Sequence, residues 1–252
     1  MTAHLRLDAV SVRFPLFHAD TRSLKKTLLG AAGRLGRAAG DRIVVEALRE
    51  ISLTIGSGER VGLIGGNGAG KTTLLRVLAG IYEPADGRVL STGRVHALLH
   101  PGQGMHQDLS GRENIRLGGL YHGLSRPALR QLEDDVAAFA ELGDFLDLPL
   151  RIYSAGMAVR LGFALATAIR PEILLMDEWF LAGDAAFMAR ARARLEDMVR
   201  GAEILVLATH HEAVLRQWCS RLLWLDQGRL RDDGGTSDIL AAYQANNPGN
   251  EG

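Results

Sequence analysis

A glycine-rich stretch at residues 65–72 (GGNGAGKT) constrains the fold of this chain more than any other feature, because it fits the pattern G-x-x-x-x-G-K-[ST]. It lies between an apolar, strand-like segment, Arg60–Ile64, and Lys71–Leu78, whose leucines have helical spacing. The glycines let the backbone curl so that N–H groups point inward at the start of the helix and bind anions. The stretch therefore predicts a phosphate-binding loop between a strand and a helix. The predicted nucleotide-binding residues are Gly65, Gly66, Asn67, Gly68, Ala69, Gly70, Lys71, Thr72 and Thr73.

Two side chains at the end of this loop are predicted to contact a nucleoside triphosphate and its metal ion. Lys71 is expected to reach the β- and γ-phosphates, and the hydroxyl of Thr72 is expected to bind Mg²⁺. Among the 29 basic positions only Lys25, Lys26 and Lys71 are lysines. A lysine at position 71 supports the prediction, because a compact ammonium fits a phosphate cradle where a planar guanidinium would not.

A buried strand is also predicted to deliver polar side chains beside the loop. The apolar residues 173–176 lead into Asp177 and Glu178. The apolar residues 204–208 lead, after Thr209, into His210 and His211. Because parallel strands end at one edge of a sheet, Asp177 is expected there as a ligand of Mg²⁺. Glu178 is expected to polarise the attacking water, and His210 to hydrogen-bond the γ-phosphate and that water. His211 is interpreted as a solvated neighbour.

Composition narrows the classes of partner. The 29 basic and 29 acidic residues give zero net charge, so no global field attracts nucleic acid and no such partner is expected. A single cysteine, Cys219, cannot form an internal disulfide or a zinc site, which indicates a reducing compartment. No apolar run reaches the ~20 residues of a membrane span, so any membrane role is expected to come through a partner.

A short motif before Asp177 distinguishes this chain from NTPases in general. The sequence YSAGM at residues 153–157 opens a helix that is predicted to run to about Ile169. With the phosphate loop and the Asp177-Glu178 pair, it makes the chain resemble the nucleotide-binding subunits of ATP-binding-cassette (ABC) transporters, whose signature is Leu-Ser-Gly-Gly-Gln. Ser154 and Gly156 match this signature, whereas Tyr153, Ala155 and Met157 depart from it. The residues expected to act as the signature are Ser154, Ala155, Gly156 and Met157.

The resemblance implies a head-to-tail homodimer in which each ATP, with Mg²⁺, lies between one copy's phosphate loop and the other copy's signature. It also implies a D-loop at Asp184 and stacking of adenine on Phe14, for which a core residue at a strand end is the alternative. For the family's Q-loop the nearest glutamine is Gln103, which is offset by about two positions.

The resemblance covers nearly the whole chain and implies an α/β fold. The expected architecture is a P-loop NTPase (RecA-like) core with an N-terminal antiparallel β subdomain and an inserted α-helical subdomain. Residues 1–252 are expected to form one ABC ATPase domain, with a β-rich part at about 1–60, an insertion at about 18–44 and a helical subdomain at about 104–170. No C-terminal carbohydrate-binding domain is expected, because the chain ends soon after Tyr243.

The departures in the signature, together with the sequence GDAAF at residues 183–187, are similar to exporters of O-antigen, capsular and teichoic polysaccharides. The expected function is hydrolysis of ATP to power export of a lipid-linked polysaccharide through a separate polytopic permease. The subunit is expected to be peripheral, on the cytoplasmic side of the membrane. An ABC ATPase of another transporter class, or a soluble ABC ATPase outside transport, is the alternative.

Three segments suggest surfaces for partners. Residues 18–42 carry six basic and two acidic residues, and they either contact lipid headgroups or a lipid-linked glycan or form a solvated insertion. Residues 131–150 carry six acidic residues and no basic one, which indicates a solvated helical face or a surface for a basic partner. The segment 105–114 is expected to border a groove for a helix of the permease.

Overall fold

The computed structural model describes residues 2–15, 35–38, 42–99, 104–177 and 185–246. The strands are β1 (His4–Pro15), β2 (Leu35–Ala38), β3 (Arg42–Gly56), β4 (Arg60–Ile64), β5 (Asp86–Thr92), β6 (Val95–Leu98), β7 (Ile173–Asp177), β8 (Ile204–Ala208), β9 (Arg221–Asp226) and β10 (Arg229–Gly235). The helices are α1 (Lys71–Leu78), α2 (Gly111–Tyr121), α3 (Arg126–Ala140), α4 (Ala155–Ala168), α5 (Ala185–Gly201), α6 (Glu212–Trp218) and α7 (Thr236–Asn246), with 3₁₀ turns at Gly143–Asp147 and Leu150–Ile152. No helix among these residues is long and apolar enough to cross a bilayer.

The chain divides into two compact units, each with its own core. The first takes its residues from Met1–Ala97, Glu172–Glu178 and Glu203–Gly252, and the second from Leu98–Pro171 and Trp179–Ala202. Helix α5 therefore groups with the predicted helical subdomain, a grouping that the sequence interpretation did not include. The division of residues 1–252 into subdomains otherwise stays a prediction.

The first unit contains an antiparallel sheet in the order β2-β3-β1-β5. Alternation of apolar and polar residues in β1 buries Leu5 and Leu7 on one face, as a half-exposed strand requires. The register of β1 against β3 shifts between Leu7 and Val10, where Ala9 has φ +48°. The predicted antiparallel β subdomain corresponds to this sheet.

The second sheet has the order β10-β9-β4-β8-β7-β6, and β4, β7, β8 and β9 run parallel. Strands β7 and β8 are apolar throughout their buried residues, as expected of strands covered on both faces. Helix α1 packs against this sheet through the buried residues Leu74, Leu75 and Leu78. The loop before α1 is therefore attached at both ends to buried elements.

The second unit is helical, and its core is lined by α2, α3 and α4. An aromatic cluster adds α5 to this core: the ring of Phe187 lies 5.7 Å from that of Phe139 and 5.8 Å from that of Phe163. Arg160 of α4 lies over the Phe187 ring, 5.2 Å from its centroid, and Arg194 lies over Phe139 at 4.5 Å. These contacts account for the position of α5 in the helical unit.

The acidic segment 131–150 is paired within this unit. Glu133 accepts hydrogen bonds from Arg112 and Arg116 of α2, and Asp147 also pairs with Arg112. Asp135 and Glu141 pair with arginines of α5. Arginines from elsewhere in the chain therefore contact these four carboxylates, but only Glu133 is largely buried, whereas Asp135, Glu141 and Asp147 keep half or more of their side chains exposed, as a solvated face requires. A basic partner for this face stays a prediction.

Candidate nucleotide-binding site

The predicted phosphate loop connects β4 to α1, and glycines at its two ends are sterically required. Gly65 has φ +143°, and a Cβ there would lie 2.2 Å from the carbonyl oxygen of Leu225. Gly70 has φ +114°, and a Cβ there would lie 3.0 Å from the carbonyl oxygen of Ala47. The middle of the loop, residues 66–68, is exposed. Only glycine allows the backbone to pass this close to two neighbouring strands while leaving the middle of the loop accessible.

The predicted phosphate ligand Lys71 is buried, with 8% of its surface exposed. Its Nζ donates hydrogen bonds to the carbonyl oxygens of Gly65 at 2.6 Å and Gly66 at 3.3 Å. A buried ammonium requires such partners, and here the loop itself supplies them. The positive charge is therefore held against the loop whose N–H groups are predicted to bind phosphate. Thr72 and Thr73, in the first turn of α1, are half-buried.

A turn that the sequence interpretation did not include supports the loop from the other side. Gly228, between β9 and β10, donates its N–H to the carbonyl oxygen of Ala69 at 2.9 Å and accepts a bond from the Arg49 N–H at 2.8 Å. A Cβ on Gly228 would lie 2.7 Å from the carbonyl oxygen of Ala47. The signal in the sequence is a glycine in a tight turn, which by itself indicates only a hairpin.

Strand register brings the predicted metal ligand to the edge of the sheet that carries the loop. Asp177 of β7 lies opposite Ala208 of β8, and Ala208 lies opposite Leu63 of β4, two residues before Gly65. Asp177 is half-buried. The last residues of β4, β7 and β8 therefore lie side by side, as the sequence predicted for strands that end at one edge.

The polar residues after β8 continue from this same edge. His210 and His211 are exposed, and His211 is the N-terminal capping position of α6. The buried Thr209, which the sequence interpretation did not use, accepts a hydrogen bond from the His211 N–H through its Oγ1 at 3.1 Å. This turn orders the chain around His210 directly after the strand. The role predicted for His210 is not tested by these contacts.

Phe14, the predicted adenine platform, lies at the end of β1 with 36% of its surface exposed. That exposure does not fit the alternative of a core residue. Its ring contacts that of Tyr82 edge-on, with centroids 5.3 Å apart and planes at 72°. The hydroxyl of Tyr82 accepts a hydrogen bond of 2.8 Å from Arg76 of α1.

The signature residues form the start of α4 in the helical unit. Ser154 is the N-terminal cap, and its Oγ accepts a hydrogen bond from the Met157 N–H at 3.2 Å. Ser154, Ala155 and Gly156 are exposed, whereas Met157 packs against the core of the unit. The first backbone N–H groups of a helix are therefore presented at the surface, the arrangement that binds anions.

Tyr153, a departure from the family signature, anchors this helix start. Its hydroxyl donates a 2.6 Å hydrogen bond to the carbonyl oxygen of Phe145. A Cβ on Gly111 would lie 2.6 Å from the same hydroxyl, so the tyrosine fills the space beside the start of α2. Partial burial, followed by the charge of Asp147, raises the pKa of Tyr153, which keeps the hydroxyl protonated as a donor.

In the segment 105–114, which is predicted to border the permease groove, one buried amide orders the backbone. Asn114, with 2% of its surface exposed, donates through Nδ2 to the carbonyl oxygens of His106 at 3.0 Å and Ser110 at 2.9 Å. Its Oδ1 accepts from the His106 N–H at 2.7 Å. Ser110 and Glu113 form a reciprocal capping box at the start of α2.

Several predicted residues lie outside the described part of the chain. They are Glu178, Gln103, Asp184 and, within the basic segment 18–42, Arg22, Lys25, Lys26 and Arg34.

Comparison with known proteins identifies relatives over nearly the whole sequence. Residues 48–181 match the family described as ABC transporter. The chain is 42% identical over 233 residues to the O-antigen export system ATP-binding protein RfbE of Yersinia enterocolitica, which covers 92% of this chain and 97% of the relative. It is 43% identical over 208 residues, 82% of its length, to the O-antigen export system ATP-binding protein RfbB of Myxococcus xanthus, of which it spans 48%.

A solved structure supports the fold. The dimeric ATP-binding cassette MJ0796 bound to ADP and Pi matches with a TM-score of 0.66 at 20% identity, over 92% of this chain and 98% of that chain. The likeness confirms the predicted fold class: the parallel sheet with its phosphate loop, the antiparallel sheet and the helical unit are the parts of one known cassette fold.

Proposed function

The chain belongs to the ABC transporter family, and from that premise we propose that it binds and hydrolyses ATP to power export of a lipid-linked polysaccharide through a separate membrane permease. The observation that carries the nucleotide chemistry is the loop of residues 65–72, which holds a buried lysine and has glycines at both ends in a left-handed backbone conformation. Such a loop before a helix supports binding of phosphate. The similarity to an O-antigen export protein over 97% of that relative's length supports the substrate class.

In this proposal the loop of residues 65–72 binds the triphosphate, and the glycines near its two ends determine the shape of the loop. Backbone N–H groups of the loop contact phosphate oxygens, and the Lys71 ammonium contacts the β- and γ-phosphates. Phe14 stacks on the adenine ring. The exposed platform and the buried lysine belong to the same unit, so base and phosphates are recognised by one body of the protein.

Two of the predicted ligands have the chemistry that a magnesium ion requires. Thr72, in the first turn of α1, would supply a hydroxyl and Asp177, at the end of β7, a carboxylate, and Mg²⁺ prefers oxygen ligands of these kinds. When bound, Mg²⁺ would neutralise charge on the β- and γ-phosphates. Both side chains are half-buried, so neither is enclosed by the protein.

Hydrolysis in this proposal depends on two further residues. Glu178, the residue after Asp177, accepts a proton from the attacking water. The water oxygen forms a bond to the γ-phosphorus while the bond from that phosphorus to the β–γ bridging oxygen breaks, which releases ADP and phosphate. His210 donates a hydrogen bond to the γ-phosphate. Its place directly after β8 supports this role, since β8 ends beside β7 and β4.

The second half of each reaction centre comes from another copy of the chain. The start of α4, with the exposed Ser154, Ala155 and Gly156 and the adjoining Met157, contacts the γ-phosphate of the ATP held by the partner. Asp184 of the D-loop crosses between the two centres. The dimeric state of the similar cassette supports a head-to-tail homodimer, in which two-fold symmetry forms two equal centres.

The permease and the membrane are reached through other surfaces. The segment 105–114, whose backbone the Asn114 side chain holds in shape, borders the groove for a permease helix, and Gln103 is the candidate that transmits binding there. The basic residues within 18–42 contact lipid headgroups or the lipid-linked glycan. The subunit is then peripheral on the inner face of the membrane, attached by the permease.

The Glu178→Gln variant tests the catalytic part of the proposal. It keeps a polar side chain but removes the proton acceptor, so hydrolysis should fall at least ~100-fold while ATP binding persists. The ATP-bound variant should then elute as a dimer in size-exclusion chromatography. Glu83→Gln, at an exposed position of the same unit, is the matched control and should hydrolyse normally. Wild-type turnover by Glu178→Gln would remove Glu178 from its role.

Affinity purification from membranes tests the transport part. The full chain should co-purify with a polytopic permease, and the pair should show ATPase activity that responds to a lipid-linked glycan. Recovery with ribosomes or DNA instead would favour a soluble ABC ATPase, and a permease for another substrate would favour another transporter class.

A further inference from the structure

We propose that Tyr82 is a positioning residue that holds the ring of Phe14 in place for the nucleotide base. This inference rests on the proposed function, in which Phe14 stacks on adenine. It assigns a role to a residue that the motifs of the sequence do not include.

The contacts of Tyr82 join the end of β1 to helix α1. Its ring meets that of Phe14 edge-on at 5.3 Å and 72°, and its hydroxyl accepts a 2.8 Å hydrogen bond from Nη1 of Arg76. The guanidinium carbon of Arg76 also lies 5.5 Å from the centroid of the Tyr82 ring. Arg76 therefore contacts both the hydroxyl and the ring of Tyr82.

The backbone fixes Tyr82 to α1 as well. The N–H groups of Ile81 and Tyr82 both donate to the carbonyl oxygen of Arg76, at 2.8 Å and 3.2 Å. These two bonds fix the backbone of Tyr82 relative to the end of α1. Since the side chain and the backbone are both bonded to Arg76, the position of the Tyr82 ring is determined by α1.

Through Tyr82 and Arg76, the ring of Phe14 is positioned relative to α1, the helix that carries the phosphate-binding lysine. Lys71 is the first residue of α1, and Arg76 lies five residues later, roughly 7.5 Å along the helix axis. A nucleotide contacts both positions at once, so the distance between them determines whether base and phosphates fit together. Phe14, 36% exposed at a strand end, would otherwise rotate about its side-chain bonds and lose ordering entropy on binding.

The edge-on contact leaves a face of the Phe14 ring for the base. A single neighbour at 72° covers at most one face of that ring, so the other face can stack on a purine. Tyr82 can therefore orient Phe14 without occupying the face that the base needs.

The test compares ATP with inorganic tripolyphosphate, which has the phosphates but no base. Titration calorimetry on the full chain with Mg²⁺ would measure both ligands for wild type, Tyr82→Leu, Tyr82→Phe, Phe14→Leu and the double variant Phe14→Leu/Tyr82→Leu. Tyr82→Leu should weaken ATP binding about three- to tenfold, the range of an aromatic pair, and leave tripolyphosphate binding unchanged. In steady-state hydrolysis the KM for ATP should rise while kcat stays the same, because the contact is made equally in the ground and transition states.

Two variants separate positioning from a general structural effect. Tyr82→Phe keeps the edge-on ring and should recover most of the ATP affinity. The double variant should bind ATP no more weakly than Phe14→Leu alone, because Tyr82 acts only through Phe14. Tyr121→Leu, at a tyrosine that is 75% exposed in the helical unit, is the matched control and should bind both ligands normally.

The outcomes that would overturn the inference are distinct from failure of the proposed function. Equal weakening of ATP and tripolyphosphate by Tyr82→Leu, or an unchanged ATP affinity in that variant alongside a weakened Phe14→Leu, would remove Tyr82 from this role. An unchanged ATP affinity in Phe14→Leu would remove the platform itself. If Tyr82→Leu does not fold, Tyr82→Met, which also lacks an aromatic ring, replaces it in the same titrations and should show the same selective loss of ATP affinity.

Discussion

The Nζ of Lys71 lies 2.6 Å from the carbonyl oxygen of Gly65, so the cation of the phosphate loop is hydrogen-bonded to the first residue of that loop. The bond closes the loop on itself, with five residues between the two groups. Because an ammonium has three N–H donors, the same group can hold the loop and contact phosphate oxygens. The bond restricts the conformations of the loop, and a restricted loop has a lower ordering cost on binding a triphosphate.

Replacing Lys71 by methionine should separate charge from shape. Methionine has a similar length without the charge, so the chain should remain folded while charge-assisted bonds to phosphate are lost. We expect ATP affinity to fall by about 3 kcal/mol, roughly a hundredfold, in titration calorimetry. An unchanged affinity with an unchanged melting temperature would show that the lysine does not contact the phosphates.

A mixing experiment should test whether each centre is shared between two copies. Lys71→Met inactivates a phosphate loop and Ser154→Asn alters a signature, while asparagine keeps a capping oxygen at the start of α4. In a mixed head-to-tail dimer one centre carries both changes and the other carries neither. Each variant alone should be inactive, and an equal mixture should recover about a quarter of wild-type hydrolysis, since half of the dimers are mixed and each has one intact centre. Absence of recovery, with mixed dimers shown to form, would contradict a shared centre.

The local parts of this site could be predicted from the sequence. The strand Arg60–Ile64 and the helix Lys71–Leu78 have the predicted bounds, because apolar spacing and a glycine-rich loop act over a few residues. Parallel strands that end together likewise predict Asp177 at the edge of the loop. The first two features depend on residues that are close in the sequence. The third depends on the general rule that parallel strands end at the same edge of a sheet.

The contacts between distant segments could not be predicted. Gly228 supports a loop more than 150 residues earlier, and Tyr153 bonds to the carbonyl of Phe145 through a turn that no periodicity reveals. The acidic run at 131–150 has no basic residue within it, so its arginine partners are invisible until the helices are packed. Such pairings depend on tertiary structure, which a one-dimensional pattern does not contain.

Two adjacent glycines of the loop should respond differently to alanine. A Cβ on Gly65 would lie 2.2 Å from the carbonyl oxygen of Leu225, at a φ of +143° that side chains rarely adopt, whereas a Cβ on Gly66 would meet nothing within 4 Å. Gly65→Ala should therefore lower the melting temperature of the nucleotide-free chain by several degrees, since backbone strain costs about 1–3 kcal/mol. Gly66→Ala should leave it within about a degree. Equal melting temperatures would show that the loop can move away from β9 without cost.

Glu133 should give the helical unit a stability that depends on pH. Only 14% of its side chain is exposed, and its carboxylate accepts bonds from Arg112 at 3.0 Å and Arg116 at 2.9 Å. Burial acts to raise its pKa, but the hydrogen bonds and charges of Arg116 and Arg112 outweigh burial and lower the pKa below the ordinary 4.5. The folded state therefore binds this proton more weakly than the unfolded state. The stabilisation is fully present above pH 4.5 and is lost as the pH falls through the lowered value.

Glu133→Gln removes the charge that the two arginines contact, and Asp134→Asn removes a charge at the exposed neighbouring position. At pH 7 the Glu133 variant should melt at a lower temperature than both wild type and Asp134→Asn, because Arg116 and Arg112 lose a charged acceptor. As the pH is lowered below 4.5, wild-type Glu133 takes up its proton and the difference in melting temperature between wild type and Glu133→Gln should shrink. A difference that stays constant from pH 7 to pH 3 would contradict a stabilisation of the unit that depends on the charge of Glu133.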